Sequence, residues 1–153
     1  MPLLYLVAVK ILAPMINDIS SDTEDPPEFS QGQRGELPQR FRRAIQQHYP
    51  KLAPLELAVS ATRAHELALE LVERVPTWTV VAVDSARLFI EGIAQTRILR
   101  FVDDWVIRVR ARGDGSVVDM RSSSRLGRGD FGANAERIAL FLAKLSESAQ
   151  AGS

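Results

Sequence analysis

The residues best placed to do chemistry in this chain lie in one run, Arg121-Ser-Ser-Ser-Arg-Leu-Gly-Arg-Gly-Asp-Phe-Gly-Ala-Asn134. The run joins what reads as the last strand to what reads as the last helix. Free backbone amides at a helix start, with guanidinium groups beside them, suit an anion. Arg121, Arg125 and Arg128, with Arg108 from the preceding strand, are the candidate clamp. Gly132 and Asn134 lie where the helix would open, and the amides near Phe131, Gly132 and Ala133 are the expected donors. Glycines at 127, 129 and 132 permit tight backbone paths. The spacing matches neither a P-loop nor a dinucleotide fingerprint, so a place is marked and a reaction is not. A competing reading needs no external ligand. The glycines then serve a turn, Asp130 caps the helix, and the acidic stretch Asp22-Thr-Glu24-Asp25 docks onto Arg121, Arg125 or Arg108 as an internal anion.

Other reactive side chains are weaker candidates. Asp103-Asp104 could hold Mg²⁺ or Ca²⁺ or act as an acid–base pair. Neighbours in a strand face opposite ways, however, so the two resist sharing one ligand, and a turn before Trp105 is the plainer reading. His48 and His65 have no metal-ligand spacing. Ser122, Ser123 and Ser124 lack a nucleophile elbow. Trp78, Phe89, Phe101, Trp105 and Phe131 read as core or groove wall, not as a base-stacking platform. No cofactor is implied, and the balance of features favours a non-catalytic protein.

Composition narrows the classes. The chain has 153 residues, enough for one domain, with 46% hydrophobic and 25% charged residues. Its 19 basic and 19 acidic residues cancel, so no global attraction to nucleic acid is expected. The charge is uneven: residues 18–28 carry five acids and no base, whereas residues 97–137 carry nine arginines. Cysteine is absent, which excludes disulfides and thiolate chemistry. Residues 1–16 form an apolar leader interrupted by Lys10 and Pro14. It is shorter than the roughly 20 residues that span a bilayer and lacks the pattern of an export signal. A membrane-facing segment, a packed element and a remnant of a longer membrane region all remain open.

The elements that would position these residues follow from periodicity. Residues 17–54, rich in proline, read as an extended arm with one short helix at Gln39 to Tyr49. Thr62 to Val75 carries an apolar stripe at helical spacing, capped by Ser60 or Thr62. Four strand-like runs follow: Trp78–Val83, Arg87–Thr96, Trp105–Arg112 and Val117–Ser124. Asp114-Gly115 reads as a two-residue hairpin turn, which would set Val109 opposite Met120 and Arg110 opposite Asp119. Phe131 to Ser146 is the closing helix, and residues 147–153 read as a frayed tail. The expected fold is α+β, with a four-stranded antiparallel meander and two helices on one face, residues 55–146 forming the domain.

Three segments together resemble a known bacterial and plastid family: Asp18 to Phe29, Arg100-Phe-Val-Asp-Asp-Trp-Val-Ile-Arg-Val-Arg110, and Asp119 to Ile138. In order and spacing the chain resembles the domain-of-unknown-function family numbered 1499, from about Asn17 to Leu145. The resemblance implies no established reaction. Some members carry membrane helices or an export signal before the domain, which implies membrane or envelope association; the short leader here leaves a cytoplasmic location open.

The expectation is therefore a binding or scaffolding domain at a membrane or in the envelope, taking an anionic group on a partner protein, lipid or metabolite. Its surface would be the arginine-rich junction and the sheet edge bearing Asp103, Asp104 and Arg108. Two rivals are a small-ligand carrier with arginines at the mouth of an apolar pocket, and an enzyme using Asp103, Asp104 and Arg125 on a phosphorylated substrate. Oligomeric state is left open.

Overall fold

A computed structural model describes residues 13–30 and 34–152. Of the leader, residues 1–12 lie outside the described residues, and Ile16 is buried. The architecture is α+β, as expected, but with six antiparallel strands and three helices among the described residues. In chain order these are β1 (Asp18–Ser20), α1 (Gln39–His48), β2 (Leu55–Leu57), α2 (Ala61–Glu73), β3 (Trp78–Asp84), β4 (Phe89–Gln95), β5 (Val102–Arg112), β6 (Gly115–Ser124) and α3 (Ala133–Ala151). The sheet order is β1-β6-β5-β4-β3, and β2 also pairs with β6. The four long strands form the expected meander. The two extra strands have three residues each and lie end to end along the free edge of β6, β1 beside residues 121–123 and β2 beside 116–118. Segments this short carry no readable period, so only pairing defines them.

One face of the sheet meets the helices. Trp105, Ile107 and Val109 of β5 and Val118 and Met120 of β6 are buried there. They pack with Ala64, Ala68 and Val72 of α2 and with Ile138, Phe141 and Leu145 of α3. These are the stripes that helical spacing marks as apolar. The hydroxyl of Ser60 accepts a bond from the Arg63 amide at 3.2 Å and starts α2. The short helix in the arm forms as read, with Phe41 and Ile45 inward. α3 runs to Ala151 with Ala149 buried, so the end expected to fray is helical: an alanine spaced from Leu145 by one turn extends the stripe.

The β5–β6 hairpin forms two residues out of the expected register. Arg112 pairs with Gly115, so Val109 faces Val118 and Arg108 faces Asp119. The loop is Gly113-Asp114, and Gly113 takes φ +57°, the left-handed conformation that a glycine-first hairpin turn requires. An even shift leaves each side chain on its predicted face.

Gly92 of β4 sits opposite Trp105. A Cβ there would overlap both the Trp105 ring and the Thr79 carbonyl oxygen. The missing side chain lets the indole lie flat across β4 and reach Trp78, with ring centroids 5.2 Å apart. Gly92→Ala should therefore lower stability by about 1–3 kcal/mol, as overpacking does. A urea unfolding midpoint equal to wild type would refute that.

Candidate functional site

The site residues divide by the parity of the strands. In β5 and β6 successive side chains alternate between the helix face and the opposite face. Even positions of β5 (Asp104, Val106, Arg108, Arg110) and odd positions of β6 (Asp119, Arg121, Ser123) point away from the helices. Ordinarily such a polar face is solvated. Here the segment after β1 crosses it and buries it: Val106, Asp119 and Arg121 are 0–1% exposed.

Arg121 is the centre of that cover. Its guanidinium makes a two-point bond to Asp18, Nε to Oδ1 at 3.0 Å and Nη2 to Oδ2 at 2.7 Å. It also donates to the Gly35 carbonyl at 3.0 Å and to the Pro27 carbonyl at 3.4 Å. The Phe29 ring lies 5.2 Å from its central carbon. Arg108 donates to Asp119 at 3.0 Å, to Asp25 Oδ2 at 3.2 Å and to the Asp25 carbonyl at 2.8 Å. Arg110 reaches Asp119 at 2.9 Å and Asp22 at 3.3 Å. From the arm side, Arg42 of α1 donates to the carbonyls of Thr23 and Glu24. Gln46 donates to the Glu24 carboxylate at 3.4 Å.

The acidic stretch thus lies on the arginines, with a change of partners. Asp22 and Asp25 meet Arg108 and Arg110, Glu24 turns to α1, and Asp18 takes Arg121. Arg125 is not an arm contact. It bonds Asp104, Nη2 to Oδ1 at 2.8 Å, and that hydrogen bond raises its pKa further. Arg34 also reaches Asp104, at 3.4 Å.

The helix face carries a second network. Asp103 is bonded by Arg137 of α3 at 2.7 Å. Arg137 also donates to Ser122 and Asn134. Asn134, fully buried, accepts from Ser122 and donates to Ser124 and Asp130. Asp103 and Asp104 lie inside β5, not in a turn, and serve opposite faces. Among the described residues no three acidic, histidine or cysteine side chains converge as a metal site would require. The buried His65 sets Nε2 3.3 Å from the Phe89 carbonyl oxygen.

The six residues of the expected anion clamp are therefore not one constellation. Arg108 and Arg121 face the arm; Asn134, on α3, meets the opposite face of the sheet at Ser122 and Ser124. The helix start is filled from within, because Asp130 Oδ1 accepts from the Gly132 amide at 2.8 Å, Oδ2 from the Asn134 amide at 3.2 Å, and its carbonyl from Ala133. Arg128 is exposed on the loop. Sequence reasoning misses Asp18, Arg34, Arg42 and Arg137. The available signal is the mixed charge on the outward face of β5 and β6, which demands a cover bearing both signs. Phe101 and Phe131, expected as core or groove wall, are exposed.

The profile of the family described as protein of unknown function (DUF1499) matches residues 18–145. The chain belongs to this family. Its matched span begins at the Asp18 that anchors the arm. No curated protein matches the chain. Among solved structures, the crystal structure of Ara h 8.0201 is similar at 12% identity and TM-score 0.46, covering 63% of this chain and 92% of that one. The crystal structure of TTHA0849 from Thermus thermophilus is similar at 18% identity and TM-score 0.37, covering 66% and 97%.

Two outcomes test this geometry. Asp18→Ala leaves Arg121 buried without its carboxylate and should cost about 3–5 kcal/mol; limited proteolysis should then cut within residues 22–30, where wild type resists. The second concerns Asp119, whose pKa is raised by burial, against the pull of Arg108 and Arg110. The folded state then holds this proton more tightly than the unfolded state. Its titration favours folding as pH falls, and that contribution is lost as pH rises from the ordinary carboxylate range through the raised value. The stability of wild type relative to Asp119→Asn should therefore increase on acidification from neutral pH, read from urea midpoints; a constant or shrinking difference contradicts it.

Proposed function

We propose that this chain is a non-catalytic binding or scaffolding domain, working at a membrane or in the cell envelope, that recognises an anionic group on its partner. The observation that carries this reading is where charge remains uncommitted. Asp103, Asp104, Asp119, Arg108, Arg121 and Arg137 are each engaged in holding the arm, α3 or the end loop. Buried, mutually neutralised groups maintain geometry and are poorly placed to exchange protons with a substrate. Arg97, Arg100 and Arg128, in contrast, are exposed and make no ion pair among the described residues. Arg125 keeps 48% of its side chain in solvent. The arrangement suits recognition of negative charge by a surface. Among the described residues no helix is long and apolar enough to cross a membrane.

A specific feature favours a second reading, the small-ligand carrier. A recess of about 300 Å³ opens between α2 and α3, with Leu71, Val75, Trp78, Leu140 and Phe141 as walls and Arg137 and Lys144 among its lining. That is the lower end of the size range for small-molecule sites.

Native mass spectrometry of protein purified separately from its own membranes and from the soluble fraction distinguishes these. The proposal expects membrane recovery with an anionic lipid or a partner protein retained. A small apolar ligand retained by the soluble protein, lost in Leu140→Arg, would favour the carrier. Soluble protein with nothing bound, and no membrane pool, would refute the proposal.

A further inference from the structure

Three segments leave the sheet at one end. Gln95, the end of β4, faces Val102, the start of β5; Asp103 faces Ser124, the end of β6; Ser123 faces Asp18, the start of β1. The β4–β5 turn (96–101), the β6–α3 loop (125–132) and residues 13–17 are therefore neighbours. They are also fastened together. The Arg125 amide donates to the Val102 carbonyl at 3.2 Å, the Asp130 amide to the Ile16 carbonyl at 3.2 Å, and Asn17 Nδ2 to the Gly127 carbonyl at 2.8 Å.

This end concentrates exposed apolar surface. Of the nine large hydrophobic side chains exposed among the described residues, six lie here. The most extreme is Ile98, 92% exposed, and Leu126 is 70% exposed. The other three, Val81, Val83 and Leu140, lie on β3 and α3. The backbone is also held unusually. Arg100 and Phe131 both take left-handed φ values of 53°, a conformation that side-chain-bearing residues avoid. The third such residue, Leu88, is at the opposite end.

Cations are interleaved with the apolar residues. Arg97-Ile-Leu-Arg100-Phe and Arg125-Leu-Gly-Arg128 repeat one motif on two adjacent loops. Of the four arginines, Arg125 is paired with Asp104, while Arg97, Arg100 and Arg128 make no ion pair among the described residues; the one carboxylate on these loops, Asp130, is occupied by the amides of Gly132 and Asn134. Residues 1–12, apolar except for Lys10, join the described chain at this same end.

We infer that this end of the sheet is a docking face for a bilayer carrying anionic headgroups. The inference rests on the membrane-associated reading above and assigns it a surface and a ligand chemistry. Ile98, Leu99 and Leu126 enter the boundary between headgroups and acyl chains, and the arginines beside them meet lipid phosphates with their stems along the apolar surface. A second copy of the chain fits the face less well. A two-fold contact sets the same patch against itself, and the unpaired Arg97, Arg100 and Arg128 would then oppose their own copies. A bilayer offers both the apolar layer and the opposite charge.

Flotation of the full chain with phosphatidylcholine vesicles, with and without phosphatidylglycerol, tests this. Binding is expected to the phosphatidylglycerol-containing vesicles and should weaken as salt is raised. Ile98→Ser with Leu126→Ser should reduce partitioning by at least about tenfold. Each of Arg97→Ala, Arg100→Ala and Arg128→Ala should reduce it by about fivefold. Val81→Ser, on exposed β3, should leave it unchanged. All these side chains are in solvent, so unchanged melting curves verify folding. Vesicle binding that persists in the loop variants would overturn this face while leaving membrane association intact. A concentration-dependent dimer lost in the Leu126 variant, without vesicle binding, would assign the face to a second copy instead. No flotation with either vesicle also overturns the inference, and membrane recovery in the native preparation then judges the broader reading separately.

Discussion

The bond between Arg121 and Asp18 governs how the rest of this molecule can be arranged. Arg121 stands on β6, between β1 and β5, on the side away from the helices, and it is 1% exposed. A guanidinium cannot occupy such a place without a carboxylate and further acceptors. Asp18, Gly35 and Pro27 supply them, and each comes from the arm. The arm is thereby required to cross the sheet along a particular path. Such pairs add little net stability relative to an apolar core, because desolvation offsets attraction. Their contribution here is to choose one path for a proline-rich segment that has few other means of choosing.

The same device appears on both faces of β5. Asp103 turns to the helices and receives Arg137 of α3; Asp104 turns to the arm and receives Arg125 and Arg34. Adjacent carboxylates in one strand therefore tie two different layers to the sheet. Asp130, Asn134, Ser122 and Ser124 complete the attachment of α3. The junction loop is held from behind by these bonds, and its Leu126, Arg128 and Phe131 are left facing outward. A rigid support beneath an exposed apolar and cationic tip is what a recognition surface needs.

The helices α1 and α2, the central meander and the inward residues of β5 are legible from periodicity, since a stripe at 3.6 or an alternation at 2 reports a buried face directly. The hairpin register is not, because both Gly113-Asp114 and Asp114-Gly115 are acceptable two-residue turns and the choice changes no face. β1 and β2 are not legible, because three residues cannot display a period. The arginines are recognisable as anion ligands, yet charge alone does not identify their acceptors. It offers Arg125 to the arm, where the structure pairs it with Asp104, and it does not single out Asp18.

Local sequence determined which residues prefer helix or strand and which side of each must be covered, because those properties depend on neighbours within a few positions. Tertiary structure alone decided which carboxylate answers which arginine. Arg121 and Asp18 are separated by 103 positions, and Arg108 and Asp25 by 83. Over such distances any acid on a flexible arm satisfies charge alone. The layered packing of arm, sheet and helices selects among them by geometry.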